Sequence, residues 1–453
     1  MKSFKNVIVP VMAFFVMGLT SCSNTEDAAT YSANALKNTE LMNILKQKGY
    51  QFDKDGKLEL NDLANNTISL DLSGTKLKDI SGLDIFPNLK EVKLSNNGYG
   101  PVFDFNKLPK QITSVDLTGN KIYDFEGLVN AKLENDELKT TVLHNFTKLY
   151  LPATAKYNVE DLMPFYKEKG KEADIQIADA DGKLQKYNTI RNIPDQYLRA
   201  FLKSLMPSLF VNETSIDISR PIPISDQQPM IMFNDFGGFE HLADVKSIEG
   251  LEYIINNPFY HQFGIMINNN KNYKLAYIAP HANIKTLVLD HISTETEIDL
   301  SKAKNLSSLI IMNNPNIEKI DLSNTLIGNQ ETKNFEMLSG TLHLVNCPKL
   351  QELKFNLSGV GIFSTLHLID LPLLKSVDLS FAQGFQNLTL TNLPQCEIKY
   401  SDKLKYQFNS GDSKEVELSE KDPIEFNISK DVAEKESTKA FIKKYGKKLQ
   451  ITQ

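Results

Sequence analysis

Short runs of alternating apolar and polar residues, separated by polar turns, fill most of this chain. Asp71-Leu72-Ser73, Lys93-Leu94-Ser95 and Asp116-Leu117-Thr118 recur at spacings of 22 and 23 residues. The same unit returns as Asp299-Leu300-Ser301 and Asp321-Leu322-Ser323, 22 apart, then as Lys354-Phe355-Asn356 after 33 and Asp378-Leu379-Ser380 after 24. A period of two predicts strands with one face buried. Only a few stretches have helical spacing instead, chiefly Glu40 to Lys48 and Asp195 to Leu205.

Between the later units lies a second set of strands, Leu309 to Asn313, Leu342 to Asn346, Leu366 to Asp370 and Leu388 to Asn392. Each is followed, one residue on, by Pro315, Pro348, Pro372 or Pro394. Asparagine or aspartate before such a break fits a turn position, because its short side chain bonds to nearby backbone. A period in the low twenties with L-x-x-L-x-L-x-x-N character is the leucine-rich repeat signature, in which each repeat buries its leucines against its neighbours. The expected fold class is therefore α+β, a β-rich leucine-rich repeat solenoid with short helical caps. The residue before the second strand leucine reads Asp71, Lys93, Asp116 and later Asp299, Asp321, Lys354, Asp378, Lys399, a column in which interleaved lysine relieves repulsion between neighbouring strands.

The chain also looks duplicated. Leu77 to Phe86 pairs with Val245 to Ile254 at a constant offset of 168, each copy preceded by one of the two helices. Phe165 to Ile177 resembles Phe441 to Ile451, a helix end with glycine and then a short strand. The reading is two tandem blocks, 36–188 and 189–453. Ahead of them, Lys2 and Lys5, a thirteen-residue apolar run from Val7 to Leu19, and Leu19-Thr20-Ser21-Cys22 have the form of an export signal. Thirteen residues fall short of the roughly 20 a membrane-crossing helix needs. Leu-Thr-Ser-Cys resembles the lipobox of bacterial lipoproteins, which implies lipidation at Cys22 after loss of residues 1–21, with residues 22–35 as a polar tether. Ser23-Asn24-Thr25-Glu26-Asp27 resembles the acidic surface-export tag of such lipoproteins, implying the outer membrane, facing the cell exterior.

A wider resemblance rests on Ile193-Pro194-Asp195-Gln196-Tyr197-Leu198-Arg199-Ala200-Phe201-Leu202 followed by Ile248-Glu249-Gly250-Leu251-Glu252-Tyr253. These segments resemble the opening of leucine-rich repeat surface lipoproteins of gut anaerobes, which have a helical cap, a glycine-containing first repeat and repeats of about 21 residues. The likeness covers most of the chain after residue 22. It departs at 206–244 and at Asn329 to Leu338, where the repeats lengthen. The resemblance implies recognition at the cell surface, with no common ligand.

Composition narrows the chemistry. The formal charge of −6 falls to about −8 once Lys2 and Lys5 leave, with acid and base interspersed, which argues against a nucleic-acid partner. There is no G-x-S-x-G, H-E-x-x-H, P-loop or paired C-x-x-C, so an enzyme is not expected. Cys347 and Cys396, two repeats apart at about 4.8 Å per repeat, should be too distant for a disulfide and read as packing residues. No cofactor is required by any motif. Calcium is the one candidate: Asp53, Asp55, Glu59 and Asp62 around Gly56 approximate an EF-hand loop, although Gln51 and Asp62 occupy its first and last positions. The alternative is a plain turn, since Asp179-Ala180-Asp181-Gly182 has the same letters between two alternating strands.

His343 and His367 hold equivalent places in two copies of Thr-Leu-His-Leu, so they should stack at the strand spacing, either as solvated neighbours or as a pair of metal ligands. Alternation puts Val288, Ile310, His343, His367 and Thr389 in one outward column, the expected binding face. Met312, Val345 and Ile369, two residues further on, are expected to turn inward. The function expected is a lipid-anchored surface module that binds a protein or a glycan, with the membrane reached through Cys22. Absence of tryptophan weakens glycan capture, though 16 tyrosines could substitute. Alternatives are a structural or assembly factor of the outer membrane with no soluble ligand, and a calcium-stabilised adhesin.

Overall fold

The computed structural model describes residues 29–135, 137–221, 230–234, 241–259, 263–282, 284–329, 340–409, 412–415, 425–445 and 448–452. The export signal, Cys22 and the tag at 23–27 lie outside these residues, as do parts of the lengthened segments at 222–229, 235–240 and 330–339. The chain is of the mixed α+β class and rich in strand. It divides into two compact units. One holds the residues up to Thr67 together with Asp84–Asn88, and the other holds Ile68–Leu83 and everything from Leu89 on.

The first unit is built on the helix Thr39–Gln47, whose N-cap Asn38 accepts from the Leu41 amide at 3.0 Å. Leu41 and Leu45, four apart on one face, are fully buried. Tyr31–Ala35, read from sequence as the end of a free tether, is instead a strand paired antiparallel with Lys57–Glu59. Its alternation leaves Ser32 buried, and the Ser32 hydroxyl accepts from the Leu58 amide, so this segment is part of the fold.

In the second unit the first sheet runs Ser69–Asp71, Glu91–Lys93, Ser114–Asp116, Lys148–Leu151, Asp174–Ala178, all parallel, with Leu184–Lys186 added antiparallel at the edge. Leu70, Val92, Val115, Leu149 and Ile175 line up in register and are buried. The outward neighbours Asp71, Lys93 and Asp116 also fall in register, so charge alternates down the column. The recurrent Asp-x-Ser triplet has a second role that spacing does not reveal. Asp71, Asp116, Asp299, Asp321 and Asp378 each accept from the amide two residues on, at 2.8 to 3.0 Å, which closes an Asx turn and ends the strand.

The larger sheet has nine strands, all parallel: Met230–Asn234, Phe263–Leu275, Ile284–Thr294, Ser308–Met312, Thr341–Val345, Ile362–Ile369, Gly384–Thr391, Glu425–Ser429 and Lys448–Thr452. Between its later members the chain crosses to short strands that pair among themselves, Lys319–Asp321 with Glu352–Lys354 and Ser376–Leu379 with Glu397–Tyr400. Parallel neighbours cannot be joined by a tight hairpin, and here the connection is this second column. Asn313, Asn346, Asp370 and Asn392 all have left-handed φ between 51° and 55°, which asparagine and aspartate tolerate better than other residues. They also bond to one another. Asn313 Nδ2 donates to Asp290, Asn346 Nδ2 to Asn313, and Asn392 Nδ2 to Asp370, at 2.8 to 2.9 Å.

Helices and strands at the block ends fall close to the spacing read from sequence: Gln196–Leu205 capped by Asp195, Leu162–Lys169 before Asp174–Ala178, and Glu436–Tyr445 before Lys448–Thr452. The division at 188/189 is not a division of the core. One continuous apolar cluster runs from Val159 and Met163 through Ile193 and Leu287 to Phe441. The rings of Tyr123, Tyr157, Tyr253 and Tyr277 stack across the same junction, at centroid distances of 5.8 to 6.5 Å. Among the described residues no helix is long and apolar enough to cross a membrane.

Candidate functional site

One face of the nine-stranded sheet carries the core leucines, so alternation turns the residues between them the other way. Met232, Met266, Val288, Ile310, His343, His367, Thr389 and Asn427 stand in register across eight strands. Ile310, His343, His367 and Thr389 are half-buried, and Met232 is 41% exposed. Val288 occupies the expected row but is closed off from solvent at 2% exposure, standing in register between Met266 and Ile310. It is a supporting residue of the face and not an accessible one.

The next row holds Asp290, Met312, Val345, Ile369 and Thr391. Met312, Val345 and Ile369 do not turn inward as expected; they are half-buried on the same face as the row before. The reason lies in the turn. Regular strand continues through Met312 and Val345, and the left-handed residue that breaks it comes one position later, at Asn313 and Asn346. The third row, Thr286, Ser308, Thr341, Thr365 and Asn387, is hydroxyl-rich. The face thus carries a half-buried apolar row of Met312, Val345 and Ile369 beside the row of Ile310 and the two histidines, while Thr286, Ser308 and Thr341 of the hydroxyl row are buried.

His343 and His367 meet edge to face, with ring centroids 4.7 Å apart and planes at 86°. His367 Nδ1 lies 3.3 Å from His343 Nε2, within hydrogen-bond reach, so one ring donates and the other accepts. The pair is therefore bonded internally and not a pair of independently solvated residues. Partial burial pushes both imidazoles below their ordinary range; burial and then the neighbouring His343 take His367 to about 4.

Other sequence candidates fall elsewhere. Asp53 Oδ1 accepts from the Asp55 and Lys57 amides at 2.9 and 2.8 Å, and Gly56 sits at φ 81°. Asp179 does the same with Asp181 and Lys183, at 3.1 and 2.9 Å. Both segments are the same Asx-closed turn, and Asp53, Asp55, Glu59 and Asp62 do not converge as three ligands. Cys347 and Cys396 are buried free thiols, with burial raising them to about 11 and about 12.

The one convergent set of three metal-ligating groups among the described residues was not legible in the sequence. Asp124, Glu160 and Asp161 come together buried, with Asn158 Nδ2 donating to all three at 3.1 to 3.3 Å. Lys302, 141 residues away from Asp161, reaches it at 2.6 Å and Asp124 at 3.5 Å. Tyr277 donates to Glu160 at 2.7 Å. Burial raises Asp124 above its ordinary value and Glu160 well above its own, while Lys302 is held charged against burial by Asp161, Asp124 and Glu160. The lysine fills the role a cation would take. This is an internal electrostatic joint that ties the start of the strand Asp124–Glu126 and the loop at 158–161 to residue 302.

In comparison with known proteins, no protein family, no curated protein and no solved structure matches this chain.

Proposed function

We propose that the chain is a lipid-anchored cell-surface protein of the leucine-rich repeat class that binds a protein partner on the outward face of its long parallel sheet. The observation that carries this reading is the apolar row Met312, Val345 and Ile369, in register and half-buried on that face, with Ile310 two residues before Met312 on the same strand. Contiguous apolar surface of this kind commonly marks an interaction site. The repeat class is supported by the period in the low twenties, the two alternating strand columns and the asparagine ladder at left-handed positions. Anchoring at Cys22 in the outer membrane is supported by the lipobox-like Leu19 to Cys22 and the polar stretch behind it. A protein is favoured over a glycan because the three rows of the face from Thr286 to Thr391 include no phenylalanine, tyrosine or tryptophan, the flat rings that sugar platforms use. Binding is favoured over catalysis because the buried carboxylates around Asp161 are closed by Lys302.

The test is a surface-protein pull-down and a glycan array with the soluble fragment from Ser23, run beside Met312→Glu/Ile369→Glu. Capture of a protein by the parent and its loss in the double variant, with unchanged melting temperature, is the expected result. Glycan binding that survives the double variant would overturn both the ligand class and the face.

A further inference from the structure

We propose that His343 and His367 form a two-histidine site for a borderline divalent transition-metal ion, zinc, nickel or copper, on the outward sheet face. This does not depend on the face being a protein-binding surface.

The geometry is the starting point. Two nitrogens that each sit about 2.0 to 2.1 Å from a tetrahedral ion are about 3.3 Å from one another. His367 Nδ1 and His343 Nε2 stand 3.3 Å apart. The spacing is held by the backbone, because Thr341–Val345 and Ile362–Ile369 pair in parallel and put His343 directly opposite His367. Leu342, Leu344, Leu366 and Leu368, which flank the two histidines along their strands, are fully buried and fix both strands to the core. The near-perpendicular rings allow both lone pairs to be aimed at one point by rotation about each Cβ–Cγ bond.

The surroundings favour a neutral imidazole pair. Among the described residues neither ring has a carboxylate partner, so no ion pair has to be broken. Each neutral ring has one protonated and one free nitrogen, and moving the shared proton to the outer nitrogen presents two lone pairs with no net proton loss. Ile310 and Thr389 flank the pair in register, which leaves the remaining coordination positions to water. Imidazole suits zinc, copper and nickel, and a purely nitrogen site disfavours calcium and magnesium.

The experiment is calorimetric titration of the metal-stripped mature protein, the full chain from Ser23, with zinc, nickel and copper chlorides, and separately with calcium chloride. One ion per chain is expected for the transition metals, copper tighter than zinc or nickel, and none for calcium at this site. His343→Gln and His367→Gln should each weaken binding at least tenfold, while His241→Gln leaves it unchanged. X-ray absorption of the parent zinc complex reads the ligands without any variant: two imidazole nitrogens with oxygens completing the shell are expected. Unaltered affinity in the His343→Gln/His367→Gln protein, or a zinc shell with fewer than two imidazoles, would overturn the assignment.

Discussion

Replacing Lys302 by methionine should be among the most damaging single changes available near this junction, and the reason is charge, not volume. Methionine keeps most of the aliphatic stem but removes the ammonium that lies 2.6 Å from Asp161 and 3.5 Å from Asp124. Those two carboxylates have side chains only 8% and 4% exposed, so the variant leaves them unpaired in a poorly solvated place. Breaking one side of a buried pair in this way costs about 3–5 kcal/mol. For a unit of roughly 380 residues, an unfolding entropy of about 2.1 cal/mol/K per residue converts that cost to a drop in melting temperature of about 4–6 °C. The pH dependence separates charge from packing. A buried acid whose folded pKa is raised contributes stability that is fully present below its unfolded pKa and is lost as pH rises through the folded one. Asp124 is raised by burial even with the lysine present and should rise further without it. Urea melts at pH 7 and pH 5 should therefore show the deficit of Lys302→Met smaller at the lower pH. Adding Asp161→Asn should restore part of it at pH 7. A deficit below about 1 kcal/mol, or one equal at both pH values, would refute the claim that Lys302 neutralises this cluster.

Three further outcomes are expected. If Cys22 is the lipid anchor proposed above, Cys22→Ala should move the protein from the membrane pellet to the soluble fraction without changing its melt, since the described residues begin at 29; wild-type recovery in the pellet would count against anchoring there. Asn346→Val should cost about 1–2 kcal/mol, because a β-branched residue resists φ 51° and the bond to Asn313 is lost, while Asn346→Gly should lose only the bond; equal melts for the two would show that the left-handed turn is not what asparagine supplies. His281 is 9% exposed and burial holds it down to about 4, so it contributes stability above about pH 6.5 that is lost as pH falls toward 4, by up to about 3 kcal/mol. Melts of His281→Phe against the parent between pH 7 and pH 4.5 should show the parent falling more steeply, and parallel curves would refute it.

Much of the local structure was written in the sequence, because it depends on residues close in the chain. Alternation with a period of two gave the strands, Asp195 marked a helix start, and asparagine or aspartate two residues before proline marked the turns at 313, 346, 370 and 392, where the backbone proves left-handed. Register followed too: although Ile310, His343 and His367 are 33 and 24 residues apart, the alternating leucines beside them bring the three opposite one another, since slipping by one residue would expose those leucines. Other features were decided only in three dimensions. Whether Met312, Val345 and Ile369 face solvent depended on which residue takes the left-handed φ, a choice of one position that periodicity cannot make. Asp53 Oδ1 accepts from the Asp55 and Lys57 amides and closes a turn there, a bond that the letters shared with a calcium loop do not reveal. The joint of Asp124, Asn158, Glu160, Asp161, Tyr277 and Lys302 draws on segments up to 178 residues apart, and no local pattern announces it. Buried charge is tolerable only where a distant partner arrives with the right sign, and that is a property of the tertiary fold.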